Sequence, residues 1–184
     1  SDELYLLAAA GDNVKVRDSL MDIKVLRVVN EDGLEQWTPV MKAGFPLPAT
    51  EAAKVLESLH LPATPTSRAS YTLDEFLGQF AAPGGAIRAV KVHKRRTRYS
   101  VGGCMAELSE VVADGKPTRT IAGESEDAAA VIQAVRDLGL GGYANTSYPR
   151  GLADLVDDVP ERYAVIDAGT NSIKFHIGER DREG

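Results

Sequence analysis

Between Ile87 and Tyr99 the chain sets six Lys or Arg side chains, Arg88, Lys91, Lys94, Arg95, Arg96 and Arg98, beside His93, with no carboxylate among them. In a strand successive side chains alternate between faces, so Lys94, Arg96 and Arg98 share one face while His93 and Arg95 take the other. Neither face can be ordinary dry core there. A guanidinium offers phosphate two parallel N–H donors and an ammonium offers a point charge, so such a face suits a ligand built of phosphates. Lys15, Arg17, Lys24 and Lys42 add cations on other segments with strand character. The pattern alone leaves two other readings open. One is a solvated edge strand kept basic against edge-to-edge association. The other is nucleic-acid binding, which the lack of aromatic residues interleaved with the cations argues against.

A second constellation lies near the other end. Tyr163-Ala164-Val165-Ile166-Asp167-Ala168-Gly169-Thr170-Asn171-Ser172-Ile173-Lys174-Phe175 reads as strand, tight polar turn, strand. An acid at a strand end, followed by Gly and small hydroxyl or amide residues, lets backbone N–H groups and hydroxyls approach a phosphate while Asp167 holds a divalent ion. The plain alternative is an ordinary hairpin turn. Its hydrophobic flanks, Tyr163–Ile166 and Ile173–Ile177, are expected to pair with any available sheet edge, including that of a second copy of the chain.

The elements that must position these groups are mostly strands. Alternating or β-rich runs occur at Leu4–Ala9, Val14–Arg17, Asp22–Val29, Gln36–Lys42, Ile87–Val101, Met105–Val112 and Thr118–Gly123. Turn residues separate them: Gly11-Asp12-Asn13, Asn30-Glu31-Asp32-Gly33, Gly102-Gly103 and Ala113-Asp114-Gly115-Lys116, the last two as hairpins. Two short helices are predicted after the fourth run, one opened by Thr50 and one by Thr72, with Glu75 completing a capping box. A third is predicted from Ser125, with Val131, Ile132, Val135 and Leu138 on one stripe and Gly139 as its stop. After it come Gly141-Gly142 and a polar stretch to Arg162. At 184 residues and 43% hydrophobic, the chain can bury one good core and an appendage. A net charge of -6 argues against general nucleic-acid or membrane-surface binding. Cys104 is the single cysteine, which fits a reducing cytoplasm, and no apolar run approaches the length of a membrane span.

The succession Lys94-Arg95-Arg96-Thr97-Arg98-Tyr99, Ala106-Glu107-Leu108-Ser109-Glu110-Val111, Thr120-Ile121-Ala122-Gly123-Glu124, a helix, and Thr146-Ser147-Tyr148 resembles the second half of the CYTH family of triphosphate tunnel proteins. The resemblance spans residues 1–155 and implies an α+β fold, an eight-stranded antiparallel barrel or tunnel with a few helices. It implies phosphate binding by Lys94, Arg96 and Arg98, with Lys15, Arg17, Lys24 and Lys42 as further inward cations. It also implies Glu107 and Glu124 as ligands of Mg²⁺ or Mn²⁺. Each has a plain alternative: Glu107 as a solvent-facing strand acid, Glu124 as an acid before a helix N-terminus, Tyr148 as a packing aromatic. The family's E-x-E-x-K opening is missing, because Asp2-Glu3-Leu4-Tyr5-Leu6 stands in its place, and Ala122 replaces the first acid of a later pair. Losing those carboxylates removes metal affinity and leaves cationic phosphate binding possible.

The run Ala164-Val165-Ile166-Asp167-Ala168-Gly169-Thr170-Asn171-Ser172-Ile173-Lys174 is similar to the opening strand of the Ppx/GppA family of exopolyphosphatases and guanosine pentaphosphate phosphohydrolases. This implies a linker at 156–162 and, over 163–184, the first β-hairpin of an actin-like domain that is truncated here. Gly169, Thr170, Asn171 and Ser172 would bind phosphate and Asp167 would lie at the metal. The expectation is therefore the polyphosphate- or triphosphate-binding region of an exopolyphosphatase-type hydrolase of phosphoanhydride bonds. The alternatives are a CYTH-type metal-dependent triphosphatase, or a degenerate structural or oligomerisation domain. The expected ligand is polyphosphate or a nucleoside or inorganic triphosphate.

Overall fold

The computed structural model describes residues 1–63, 68–159, 163–165 and 173–179. The fold is α+β and its strands are mostly antiparallel. In chain order the elements are β1 (Asp2–Leu7), β2 (Asn13–Arg17), β3 (Leu20–Val29), β4 (Glu35–Gly44), β5 (Leu47–Pro48), α1 (Ala49–Ser58), β6 (Ser70–Tyr71), α2 (Leu73–Phe80) and β7 (Arg88–Val101). There follow β8 (Cys104–Ala113), β9 (Lys116–Ser125), α3 (Ala128–Asp137), β10 (Ala144–Thr146), α4 (Tyr148–Val156), β11 (Tyr163–Val165) and β12 (Ile173–Glu179). The chain divides into two compact units. One holds Asp2–Val25 and Pro39–Val92, the other Ser1, Leu26–Thr38 and His93–Gly184.

In the first unit the strand order is β7-β1-β2-β3-β4. Leu6, Val14, Val16, Met21 and Ile23 pack with Val55, Leu56 and Leu59 of the α1 region and with Tyr71 and Phe76. The rings of Tyr71, Phe76 and Phe80 meet with centroids 5.0 to 6.3 Å apart. The capping box at Thr72 is present, with the hydroxyl accepting from the Glu75 amide at 3.2 Å and the Glu75 carboxylate accepting from the Thr72 amide at 2.9 Å. The Thr50 cap is not: the N-cap is Pro48, two residues earlier, with extended backbone (φ -56°, ψ 148°) and no side-chain cap.

β2 is buried on both faces. Val14 and Val16 enter the apolar core. Asn13 and Lys15, on the other face, are buried as well. The register Glu3↔Arg17 and Tyr5↔Lys15 places those four side chains on one face, because directly opposed residues of an antiparallel pair point the same way. β2 is therefore apolar on one side and polar and charged on the other, with both sides buried.

In the second unit the order is β10-β11-β12-β9-β8-β7. Both predicted hairpins form. Gly102 and Gly103 have φ of +57° and +80°, and Asp114 and Gly115 have +45° and +83°, the left-handed pairs that two-residue turns between twisted strands require. α3 is capped by Asp127, whose Oδ1 accepts from the Ala129 amide at 2.9 Å, while the Ser125 hydroxyl accepts from the Asp127 amide at 3.1 Å. The helix therefore starts three residues later than Ser125 would have it, and Glu126 precedes it. Gly139, at φ +68°, ends it as expected. The polar stretch after Gly142 holds β10 and α4, the latter capped by the Ser147 hydroxyl at 3.4 Å from the Arg150 amide, with Pro149 in its first turn.

The hydrophobic flanks of the polar turn pair within the chain. β12 runs antiparallel to β9 from Ile173↔Ser125 to Glu179↔Arg119, and β11 joins β12 antiparallel and β10 parallel. Asp167, Gly169, Thr170, Asn171 and Ser172 lie outside the described residues.

Candidate functional site

In the second unit, β7 carries its basic face from a buried to an exposed end. Lys94 is 3% exposed, while the side chain of Arg98, four residues on, is 68% exposed. The ammonium of Lys94 sits 3.5 Å from the centroid of the Tyr148 ring. An aromatic face attracts a cation most strongly where water is excluded, and α4 supplies that face at its first residue. The Tyr148 hydroxyl lies 3.0 Å from Thr120 Oγ1 on β9. Arg96 Nε is 3.2 Å from Glu107 Oε1 and Arg98 Nε is 3.3 Å from Glu107 Oε2. Ser109 donates to Oε1 at 3.0 Å.

The β8–β9 register explains why these groups meet. Glu107↔Ala122 and Ser109↔Thr120 are opposed pairs, so Glu107, Ser109 and Thr120 share one sheet face. The opposite face of the same hairpin takes Cys104 and Ala106; Cys104 packs with Val131 and Ala134 of α3. On β7, Arg95 pairs with Glu110 at 2.7 Å, both largely exposed, as the period of two requires of a residue out of phase with Lys94 and Arg96.

A carboxylate can only accept, so Ser109 must spend its proton on Glu107. The Tyr148 phenol is pushed up from its ordinary range, chiefly by burial. The Glu107 charge adds to that rise, while Thr120, Arg96 and Ser109 oppose it. Tyr148 is thus a neutral hydroxyl donor at any physiological pH. The result is a patch of three cations and one carboxylate, Lys94, Arg96, Arg98 and Glu107, floored by three hydroxyls, Ser109, Thr120 and Tyr148.

The first unit holds a separate charged group. Lys15 Nζ is 3.0 Å from Glu3 Oε2, both side chains at most 10% exposed, and 5.5 Å from the Tyr5 ring centroid. Arg17 shares that face and reaches Asp18 at 3.8 Å. Lys24 is opposed to Asn13 and so lies on the same face as Lys15. Lys42 is exposed and stands between Met41 and Ala43, which pack against the apolar core, so it too points to the far side of that sheet.

The acids proposed for a metal form a poor site. Glu107 is engaged through both oxygens by guanidinium groups, and Glu124, opposed to Met105, stands one step along the same face. Among the described residues no group of three His, Cys, Asp or Glu side chains is placed to hold a metal ion. A hard divalent cation wants several converging oxygens, so these residues do not fit one. Cys104 is buried, donates to the Glu124 carbonyl at 3.1 Å, and has its thiol pushed up by burial, which makes it a packing residue.

Glu3, Tyr5, Ser109 and Thr120 were not singled out by their types, although Ser109 stands two residues from Glu107. Glu35 was missed as well; it is buried and accepts from Trp37 Nε1 at 3.0 Å.

Comparison of the chain with protein families, with curated proteins and with solved structures finds no match. No helix among the described residues is long and apolar enough to cross a membrane.

Proposed function

We propose that this chain binds the phosphates of inorganic polyphosphate or a triphosphate through the basic face of β7, as the binding region of an exopolyphosphatase-type hydrolase. The observation that carries the reading is the burial of Lys94 on one face with Arg96 and Arg98, floored by Ser109, Thr120 and Tyr148. Taking an ammonium out of water costs several kcal/mol, and packed apolar residues would fill the same space more stably. A buried cation beside guanidinium and hydroxyl donors is a costly arrangement for packing and an effective one for an oxyanion.

A tunnel is the finer form of this proposal. Two ties in the second unit support it. The Asn145 side chain on β10 donates to the Gly33 carbonyl in the β3–β4 turn at 2.6 Å, and Leu34 of that turn packs with Cys104 and Val131. Both ties hold β10 and α3 against the β3–β4 turn within that unit. A linear polyanion would suit a row of cations along one strand better than a compact ligand does. The similarity of 164–174 to the Ppx/GppA opening supports hydrolysis of phosphoanhydrides as the activity served, with the binding region holding or feeding the chain. The single cysteine fits a cytoplasmic setting.

A structural reading has one observation in its favour. Glu107 and Glu3 each sit at ion-pair distance from cations that would otherwise meet a ligand. Phosphate release from tripolyphosphate, measured with Mg²⁺ and Mn²⁺, together with equilibrium binding under chelation, separates the readings. The proposal expects saturable binding and no turnover. Turnover abolished by Glu107→Gln would establish a triphosphatase instead, and neither binding nor turnover would leave a structural role.

A further inference from the structure

Glu107 occupies the place where an oxyanion would sit. Its Oε1 faces Arg96 Nε at 3.2 Å and accepts from Ser109 at 3.0 Å, and its Oε2 faces Arg98 Nε at 3.3 Å. Two guanidinium donors and a hydroxyl converging on two oxygens form the donor set that recognises a phosphate group, which presents the same pair of oxygens and more charge. Behind Ser109 on the same face, the Tyr148 hydroxyl lies 3.0 Å from Thr120 Oγ1. Because the carboxylate can only accept, Ser109 donates its proton to Glu107.

We infer that Glu107 is an internal anion that fills the phosphate seat of β7 and must swing aside when a phosphate enters. This deepens the binding reading above and rests on it. It assigns Glu107 a role opposite to that of a metal ligand: the carboxylate competes with the substrate, where a metal ligand would assist it. The geometry permits the exchange. The Glu107 side chain is 19% exposed and that of Arg98 68%, so the seat opens to solvent on the Arg98 side. An incoming phosphate can engage Arg98 first and then displace the carboxylate from Arg96 and Ser109. The device also sets a threshold. A single weakly charged anion such as chloride gains little over the resident carboxylate, whereas a polyanion that also reaches Lys94 gains a second cation in the same event.

The test is calorimetric titration of tripolyphosphate into the wild-type chain, Glu107→Gln and Glu110→Gln, all in EDTA. Glu110 pairs with Arg95 on the opposite face and controls for the change in net charge. Gln keeps the size and can still accept from Ser109, but it no longer holds the guanidinium groups as an anion. Affinity is expected to rise about tenfold in Glu107→Gln, the gain from relieving charged hydrogen bonds after a discount for the exposure of Arg98. Glu110→Gln should stay within about twofold of wild type, as an exposed ion pair predicts. Where Gln disturbs the fold by circular dichroism, Glu107→Ser serves in its place with the same expectation. Wild-type binding that is unchanged or weakened in the Glu107 variants overturns the inference and leaves the binding reading standing. An equal gain in Glu110→Gln overturns it too, since net charge then accounts for the effect. Absence of binding in all three proteins sinks the binding reading and the inference with it.

Discussion

Replacing Tyr148 by Phe removes a single oxygen from the hydroxyl floor and keeps the ring beneath Lys94. The lost group is buried and lies 3.0 Å from Thr120 Oγ1, which is itself in a residue only 4% exposed. Its removal leaves the threonine hydroxyl to be desolvated without that partner, a cost of about 1–3 kcal/mol. Thr120→Val makes the complementary deletion and should cost a similar amount. The double variant should cost less than the sum of the two, because neither hydroxyl is then left behind, with a coupling of at least ~0.5 kcal/mol. Urea unfolding of the four proteins measures the cycle. Thermal scans should follow at roughly 2–4 °C per kcal/mol for a chain of this size. The same residue has a pH signature. With its phenol pushed up in the folded state, an unfolded chain releases the Tyr148 proton first, at the ordinary tyrosine value of about 10. Its contribution to stability is complete below that pH and declines as pH rises through and beyond it. Tyr148→Phe should flatten that alkaline decline. Additive single effects, or an alkaline slope unaltered in the Phe variant, would refute the hydroxyl floor as drawn.

Lys15→Ala takes away the ammonium 3.0 Å from the buried Glu3 carboxylate and should lower unfolding free energy by about 3–5 kcal/mol in urea titrations. A loss under ~1 kcal/mol would mean the pair is hydrated. Gly11 has φ +138°, and a Cβ there would stand 2.9 Å from Leu59 Cα, so Gly11→Ala should cost at least ~1–3 kcal/mol of thermal stability. Cys104, buried and with its thiol pushed up, should resist a thiol reagent in the native protein and react fully in denaturant. Rapid native labelling would contradict its place in the core.

The strands and the basic face were legible because period-2 alternation and left-handed turn residues are local signals. Asp114-Gly115 and Gly102-Gly103 could hardly be anything but hairpin turns. The helix starts were less so. Ser125 and Asp127 are both good caps, and only the strand register, which extends β9 to Ser125, gives the role to Asp127. α4 escaped notice because Pro149 and Gly151 weaken its intrinsic signal, and its stability comes from burying Tyr148, Leu152, Leu155 and Val156. The cations could be found from their charge, but their surroundings could not. Which carboxylate neutralises Arg96, and that Tyr148 lies beneath Lys94, depend on strands and a helix distant in sequence. The hydroxyls of Ser109 and Thr120 were the least visible, since nothing in a strand sequence distinguishes an inward serine or threonine from an outward one until the register is known.

The central claim is that the face of Lys94 and Arg96 holds phosphate without a metal. Calorimetric titration of tripolyphosphate in EDTA at about 0.15 M salt, where exposed charge pairs are well screened, tests it most directly. The account predicts saturable 1:1 binding that is lost in Arg96→Ala and in Lys94→Ala/Arg96→Ala, with circular dichroism unchanged in the single variant. Binding that appears only when Mg²⁺ is supplied, or that survives in Arg96→Ala at wild-type affinity, would contradict it.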